Sequence, residues 1–272
     1  MGQRERYEPT MLLSNTNYKI ERSKEKIVKD SKRRVKKQKA YLKNFFKTHY
    51  MKSAQRAMKL AIKYHNKKRK SGQEEVSHQL ELISYGLPLL SLEKTYTTER
   101  TIVALFLHDF AEDINFSDIS KEDLKKAGNP SNMKDFLIAI FDTATYNLIL
   151  SVTKKPGFRK TIEDYEEYYA GISRIRNGII VKMIDRLNNM ESMIDAPEIF
   201  TIKKREAYVR EVELFMLPLA REKRKLRSVT PERYQLITLL IKELKIYSKF
   251  IRKINALETK LNEHVGEDEI PF

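Results

Sequence analysis

The sequence predicts an all-α protein. Apolar residues recur at three- and four-residue spacing over long stretches, strand-like alternation is scarce, and 272 residues include only 8 Gly and 8 Pro. Breakers this rare mark the expected boundaries: Ser71-Gly72, Gly86-Leu87-Pro88, Gly128-Asn129-Pro130, Lys155-Pro156-Gly157 and Ala196-Pro197.

Between these breaks the stripes follow in order. Residues 1–50 read as a basic helical arm. Ala54, Met58, Ala61 and Ile62 share one helix face, and Ile102, Val103, Leu105, Phe106 and Leu107 form a run dense enough to be buried on all sides. Phe136, Ile138, Ala139, Ile140 and Phe141 open a further helix, Ile179, Ile180, Met183, Ile184 and Leu187 another, and Leu214, Phe215, Leu217 and Leu219 the last of a helical core spanning residues 51–220. Residues 221–272 read as a C-terminal helical extension. Thr230-Pro231 opens it, with Thr as cap and Pro at the first helical position, and Leu236, Ile237, Leu239, Leu240, Leu244 and Phe250 supply its apolar side. Leu236, Leu240, Leu244 and Tyr247 are spaced to line a partner helix or the protein's own core, the commoner outcome.

Hydrophobic residues make up 41% and charged residues 33%. No apolar run approaches the ~18 residues of a membrane span, and Met1-Gly2-Gln3-Arg4 lacks a signal-peptide pattern, so a cytoplasmic protein without membrane contact is expected. Cysteine is absent, which excludes disulfides, thiolate-bound zinc and thiol nucleophiles. A metal would have to be held by carboxylates and by His49, His65, His78, His108 or His264. The net charge of +16 is concentrated between Lys19 and Thr48, where thirteen Lys or Arg face three Asp or Glu. Such a block is either a solvated face or an arm that touches polyanions, nucleic acid among them. Tyr41, Phe45 and Phe46 sit at its end and read as core contacts, so any binding is expected to be to the phosphate backbone and salt-dependent.

The informative segment is Leu107-His108-Asp109-Phe110-Ala111-Glu112-Asp113, in which a His-Asp pair ends a strongly apolar helix. A His-Asp dipeptide alone says little, because histidines pack in many cores with one hydrogen bond. Ionisable groups at the end of a buried helix are costly unless paired, and a divalent cation would pair them. His78, near the start of an earlier helix, and Asp185, polar on the apolar helix around Ile184 and Leu187, would complete a mixed nitrogen and oxygen site.

In this order the segments resemble the hydrolase domain of the RelA/SpoT homologues, alarmone-degrading enzymes of the HD superfamily. The likeness spans about residues 54–220. It rests on Arg69-Lys70-Ser71-Gly72 followed by His78, on Leu107–Asp113, on Val152-Thr153-Lys154, on Val181-Lys182-Met183-Ile184-Asp185-Arg186-Leu187-Asn188-Asn189-Met190, and on Lys204–Glu211 with Leu217–Ala220. Gln79 stands where the family has Pro, and Asn188 where it has His. The resemblance implies an HD-domain helical bundle with extensions at both ends. It implies Mn²⁺ held by His78, His108, Asp109 and Asp185, with Glu112 and Asp113 as acid/base carboxylates. Arg69, Lys70, Lys154, Asn189 and Ser192 are then expected to meet the substrate, (p)ppGpp, whose 3′-pyrophosphate is hydrolysed to leave GDP or GTP. The roughly fifty residues after Ala220 are too few for the synthetase of the long family members, so the layout is closest to the stand-alone small alarmone hydrolases. The same scaffold would serve for NADPH or (p)ppApp, and a nucleic-acid- or ribosome-binding protein using the basic arm is the reading from a different class.

Overall fold

The computed structural model describes residues 16–65, 75–90 and 95–267, and no strand occurs among them. The helices are α1 (Thr16–Thr48), α2 (Lys52–Tyr64), α3 (Glu75–Leu90), α4 (Thr95–Leu107), α5 (Phe110–Asp113), α6 (Lys121–Lys126), α7 (Met133–Ile140), α8 (Thr143–Val152), α9 (Ile162–Arg174), α10 (Gly178–Asp195), α11 (Ile202–Glu211), α12 (Leu217–Arg224) and α13 (Pro231–Glu267). The expected break at Ser71-Gly72 lies outside the described residues, as do Arg69 and Lys70.

Side-chain caps fix many of the starts. Ser120, Asn132, Asp142, Thr161 and Thr201 each accept a backbone N–H from three residues ahead, satisfying donors that a helix N-terminus leaves open. Thr230 does the same for Arg233 at 3.3 Å, as its Thr-Pro sequence predicts.

α4 and α10 form the centre. Ile102, Val103, Leu105, Phe106 and Leu107 are completely buried in α4, and Ile179, Ile180, Met183, Ile184 and Leu187 nearly so in α10. Each such side chain contributes about 1.5–3 kcal/mol of burial before entropy is counted. α2 and α3 pack on α4, while α8, α9 and α13 surround α10. The basic helix α1 is anchored by Val35, Leu42 and Phe46 against α2 and α3. At the other end Leu236, Leu240 and Leu244 lie in the same core cluster, with Tyr247 packed at its edge.

Buried polar clamps fix α13 in register. Arg233 Nη1 donates to Asn177 Oδ1 at 2.6 Å, and Asn177 Nδ2 donates to Thr101 Oγ1 at 2.7 Å, joining α13, the start of α10 and α4. Arg205, fully buried on α11, donates to Asn255 Oδ1 at 2.5 Å, to Phe200 O at 2.7 Å and to Glu258.

Three expectations need correction. Gly86-Leu87-Pro88 is no break, since α3 runs through it to Leu90. Gly86 serves a close helix crossing instead: a β-carbon there would stand 3.3 Å from Ile184 Cδ1 and 3.4 Å from Leu105 Cδ1. The stripe beginning at Phe136 ends at Ile140, because Asp142 caps a new helix, and Phe136 and Leu137 are its buried pair. Leu214 is 55% exposed. A π-helical turn over Val212–Met216 widens the helix just before Pro218, which has no N–H to give, and turns Val212 and Met216 inward in its place.

Candidate metal centre

The site is assembled from α3, the elbow between α4 and α5, and α10. His78 is in the first turns of α3, His108 and Asp109 form the elbow, and Asp185 lies midway along α10. His78, His108 and Asp185 are all buried, with ligand atoms within 4.8 Å of one another.

The two imidazoles are held in the same way. His108 Nδ1 is 3.0 Å from the Leu105 carbonyl, and His78 Nδ1 is 2.7 Å from Asn188 Oδ1. A carbonyl oxygen only accepts, so each Nδ1 carries the hydrogen and each Nε2 is turned the other way. His78 Nε2 stands 3.3 Å and His108 Nε2 3.5 Å from the same oxygen, Asp185 Oδ1. Asp109 Oδ2 approaches His108 Nε2 at 2.9 Å from the more open side, its side chain 35% exposed. Yet His108 Nε2, fully buried, makes no hydrogen bond of acceptable geometry.

Donor atoms that share one first-row ion at about 2.0–2.2 Å stand roughly 3.0–3.5 Å apart. The distances of both Nε2 atoms from Asp185 Oδ1 match that spacing, and the orphaned His108 nitrogen is the atom a cation would satisfy. The Nδ1–H bonds to fixed oxygens are the outer contacts that orient metal-binding histidines. Residues and geometry therefore fit a divalent ion, and the donor set of imidazole and carboxylate suits Mn²⁺ among others.

Asp185 is tightly held. Lys182 Nζ donates to its Oδ2 at 2.8 Å, and Asn189 Nδ2 donates to Oδ1 at 2.7 Å and to the backbone carbonyl at 3.0 Å. Burial works to raise its carboxyl pKa, but Lys182 and then the two histidines hold it well below the usual range. Burial likewise opposes a charged His108, while Asp109 and then Asp185 outweigh it and raise the imidazolium well above its ordinary value. Asp109 is correspondingly lowered by His108 against its own desolvation.

Around this centre the expected substrate and acid/base residues divide. Glu112 accepts the backbone N–H of Lys154. Partial desolvation pushes its carboxyl up, the Lys154 amide draws it part way back, and the Asp109 charge adds to the rise. Asp113 is half-buried, its amide bonded to the Asp109 carbonyl at 2.9 Å. The Lys154 ammonium, lowered by desolvation and then by Lys182, sits 5.2 Å over the Phe158 ring. Ser192 gives its hydroxyl to the Asn188 carbonyl of its own helix at 3.0 Å, and Asn189 steadies Asp185 through its side-chain amide.

Sequence reasoning missed the supporting residues. Lys182 and Asn188 bracket Asp185 at three-residue steps, which places all three along one side of α10. That spacing was the available signal. Thr153 belongs to the Val152-Thr153-Lys154 segment but carried no expected role: its hydroxyl donates to the His108 carbonyl at 3.0 Å and ties the end of α8 to the elbow.

No protein-family model matches the chain, and no curated protein matches it. No helix among the described residues is long and apolar enough to cross a membrane.

Proposed function

We propose that the chain is a metal-dependent phosphohydrolase of the HD type whose substrate is (p)ppGpp. The observation that carries the reading is the convergence of two Nε2 atoms, each with its Nδ1 already bonded, on one oxygen of Asp185. That such a centre acts on phosphoryl groups, and on those of an alarmone, is what the resemblance of the ordered segments from Arg69 to Asn189 to the RelA/SpoT hydrolase domain implies.

His78, His108 and Asp185 would hold Mn²⁺, with Asp109 at the open side. The ion, when bound, lowers the pKa of water and polarises a phosphoryl oxygen. Glu112, at the solvent edge with a raised pKa, is suited to take the proton from the attacking water. Water adds to the phosphorus beside the ribose 3′-oxygen, the bond to that oxygen breaks, and a proton ends on it as pyrophosphate leaves. Asp113, next to Glu112, is the second carboxylate for that transfer. Lys154, with Arg69 and Lys70, would meet the polyphosphate.

The test is metal content and ppGpp turnover of the purified protein with Mn²⁺, beside Asp109→Ala and Glu112→Ala. The first is expected to lose metal and activity together, and the second to keep metal and lose turnover. Equal activity in all three refutes the mechanism. If ppGpp survives while NADPH or a simple nucleotide loses phosphate, the alarmone assignment fails and the metal centre stands.

A further inference from the structure

The corner between α1 and α2 carries two exposed tyrosines, Tyr41 and Tyr50, that core packing does not explain, beside Phe45, which packs against the core edge while leaving part of its ring open. Phe46 is an ordinary core residue, fully buried and edge-on to Phe106. Its neighbours differ. Tyr41 is 57% exposed, and Phe45 is only half-buried. Phe45 stacks on exposed His49 at 4.0 Å between ring centres, with Tyr41 6.1 Å away on its other side. Four-residue spacing sets Tyr41, Phe45 and His49 in one row along the helix.

Tyr50 continues the corner under strain. The Met51 amide bonds to Phe46 O at 2.9 Å and the Tyr50 amide to Lys47 O at 3.3 Å, the paired bonds of a Schellman ending. Tyr50 thus occupies the left-handed position normally given to glycine, with φ at 55°, and its ring is 84% exposed. A tyrosine here strains the backbone and gains nothing from burial.

The surroundings are cationic. Between residues 29 and 48 nine Lys or Arg face a single acid, Asp30, and Lys37, Lys43 and Lys47 are exposed beside the aromatic row. Lys52 and Arg56 extend the charge onto α2.

We infer that this corner binds single-stranded nucleic acid, with bases stacked on Tyr41, Tyr50 and the Phe45–His49 pair and phosphates met by the basic face of α1. The charge alone would suit any polyanion. The exposed rings select a single strand, because only unpaired bases offer their faces for stacking. The inference is independent of the hydrolase reading and replaces the backbone-only binding expected from sequence.

Fluorescence anisotropy of the full chain with a labelled U20 oligonucleotide tests it, using Tyr50→Gly and Tyr41→Ala. Loss of one stacking ring is expected to weaken binding about tenfold. Tyr50→Gly relieves the strained position, so its Tm is expected to hold or rise while binding falls, which separates stacking from folding. Wild-type affinity in both variants overturns the proposal. So does displacement of U20 by an equally charged duplex at equal concentration, or binding of phosphatidylserine vesicles without binding of U20.

Discussion

Replacing Asp185 with alanine separates the two tasks of its carboxylate. Oδ2 neutralises Lys182 at 2.8 Å, and Oδ1 faces both imidazoles. The Lys182 and Asp185 side chains are 6% and 5% exposed, so Asp185→Ala strands an ammonium in the interior. Breaking a buried pair by removing one partner costs about 3–5 kcal/mol. At roughly 2–4 °C per kcal/mol in a chain near this size, Tm in EDTA should fall by roughly 6–20 °C. Lys182→Met combined with Asp185→Ala removes both charges and should recover most of that loss. The metal response should not return with it. Mn²⁺ at about a hundred times its Kd should stabilise wild type by about 2.7 kcal/mol and leave both variants unmoved. Thermal unfolding with and without Mn²⁺ reads all of this. A double variant that responds to Mn²⁺ like wild type, or a wild type that does not respond, would refute the assignment of Asp185 as a ligand.

Two further outcomes follow from particular contacts. Because His108 is raised well above its ordinary value, its proton stabilises the metal-free fold fully below the unfolded pKa of about 6.5. That contribution is lost as pH rises through the higher folded pKa. A cation must displace the proton, so apparent metal affinity should increase with pH, and titration calorimetry in buffers of different ionisation enthalpy should show about one proton released at neutral pH. No release would contradict the pairing. Gly178, at the start of α10, has no space for a β-carbon, which would stand 2.8 Å from the Ile172 carbonyl oxygen. Gly178→Ala should cost about 1–3 kcal/mol in urea unfolding, and an unchanged midpoint would mean that α9 and α10 shift freely.

Much of the architecture was legible because it is local. The stripes of α2, α4 and α10, the Thr230 cap and the turn at Gly128-Asn129 are set by side-chain period and backbone preference. The misreadings came where a neighbour overruled the local signal. Gly86 looks like a breaker, yet its missing side chain makes room for Ile184, and Leu214 follows the period until the turn ahead of Pro218 shifts the phase.

The candidate centre divides in the same way. Residue order alone supplied the donor types and their sequence on successive helices, His78, then His108-Asp109, then Asp185. Only packing decided that Asn188 and the Leu105 carbonyl turn both Nε2 atoms towards one oxygen, and that Lys182 balances that oxygen's partner. It also decided that Phe46 is buried while Tyr41 and Tyr50 are not. The reason is physical. A helical period states which side chains share a face, whereas tautomer, charge balance and exposure depend on what distant segments bring to that face.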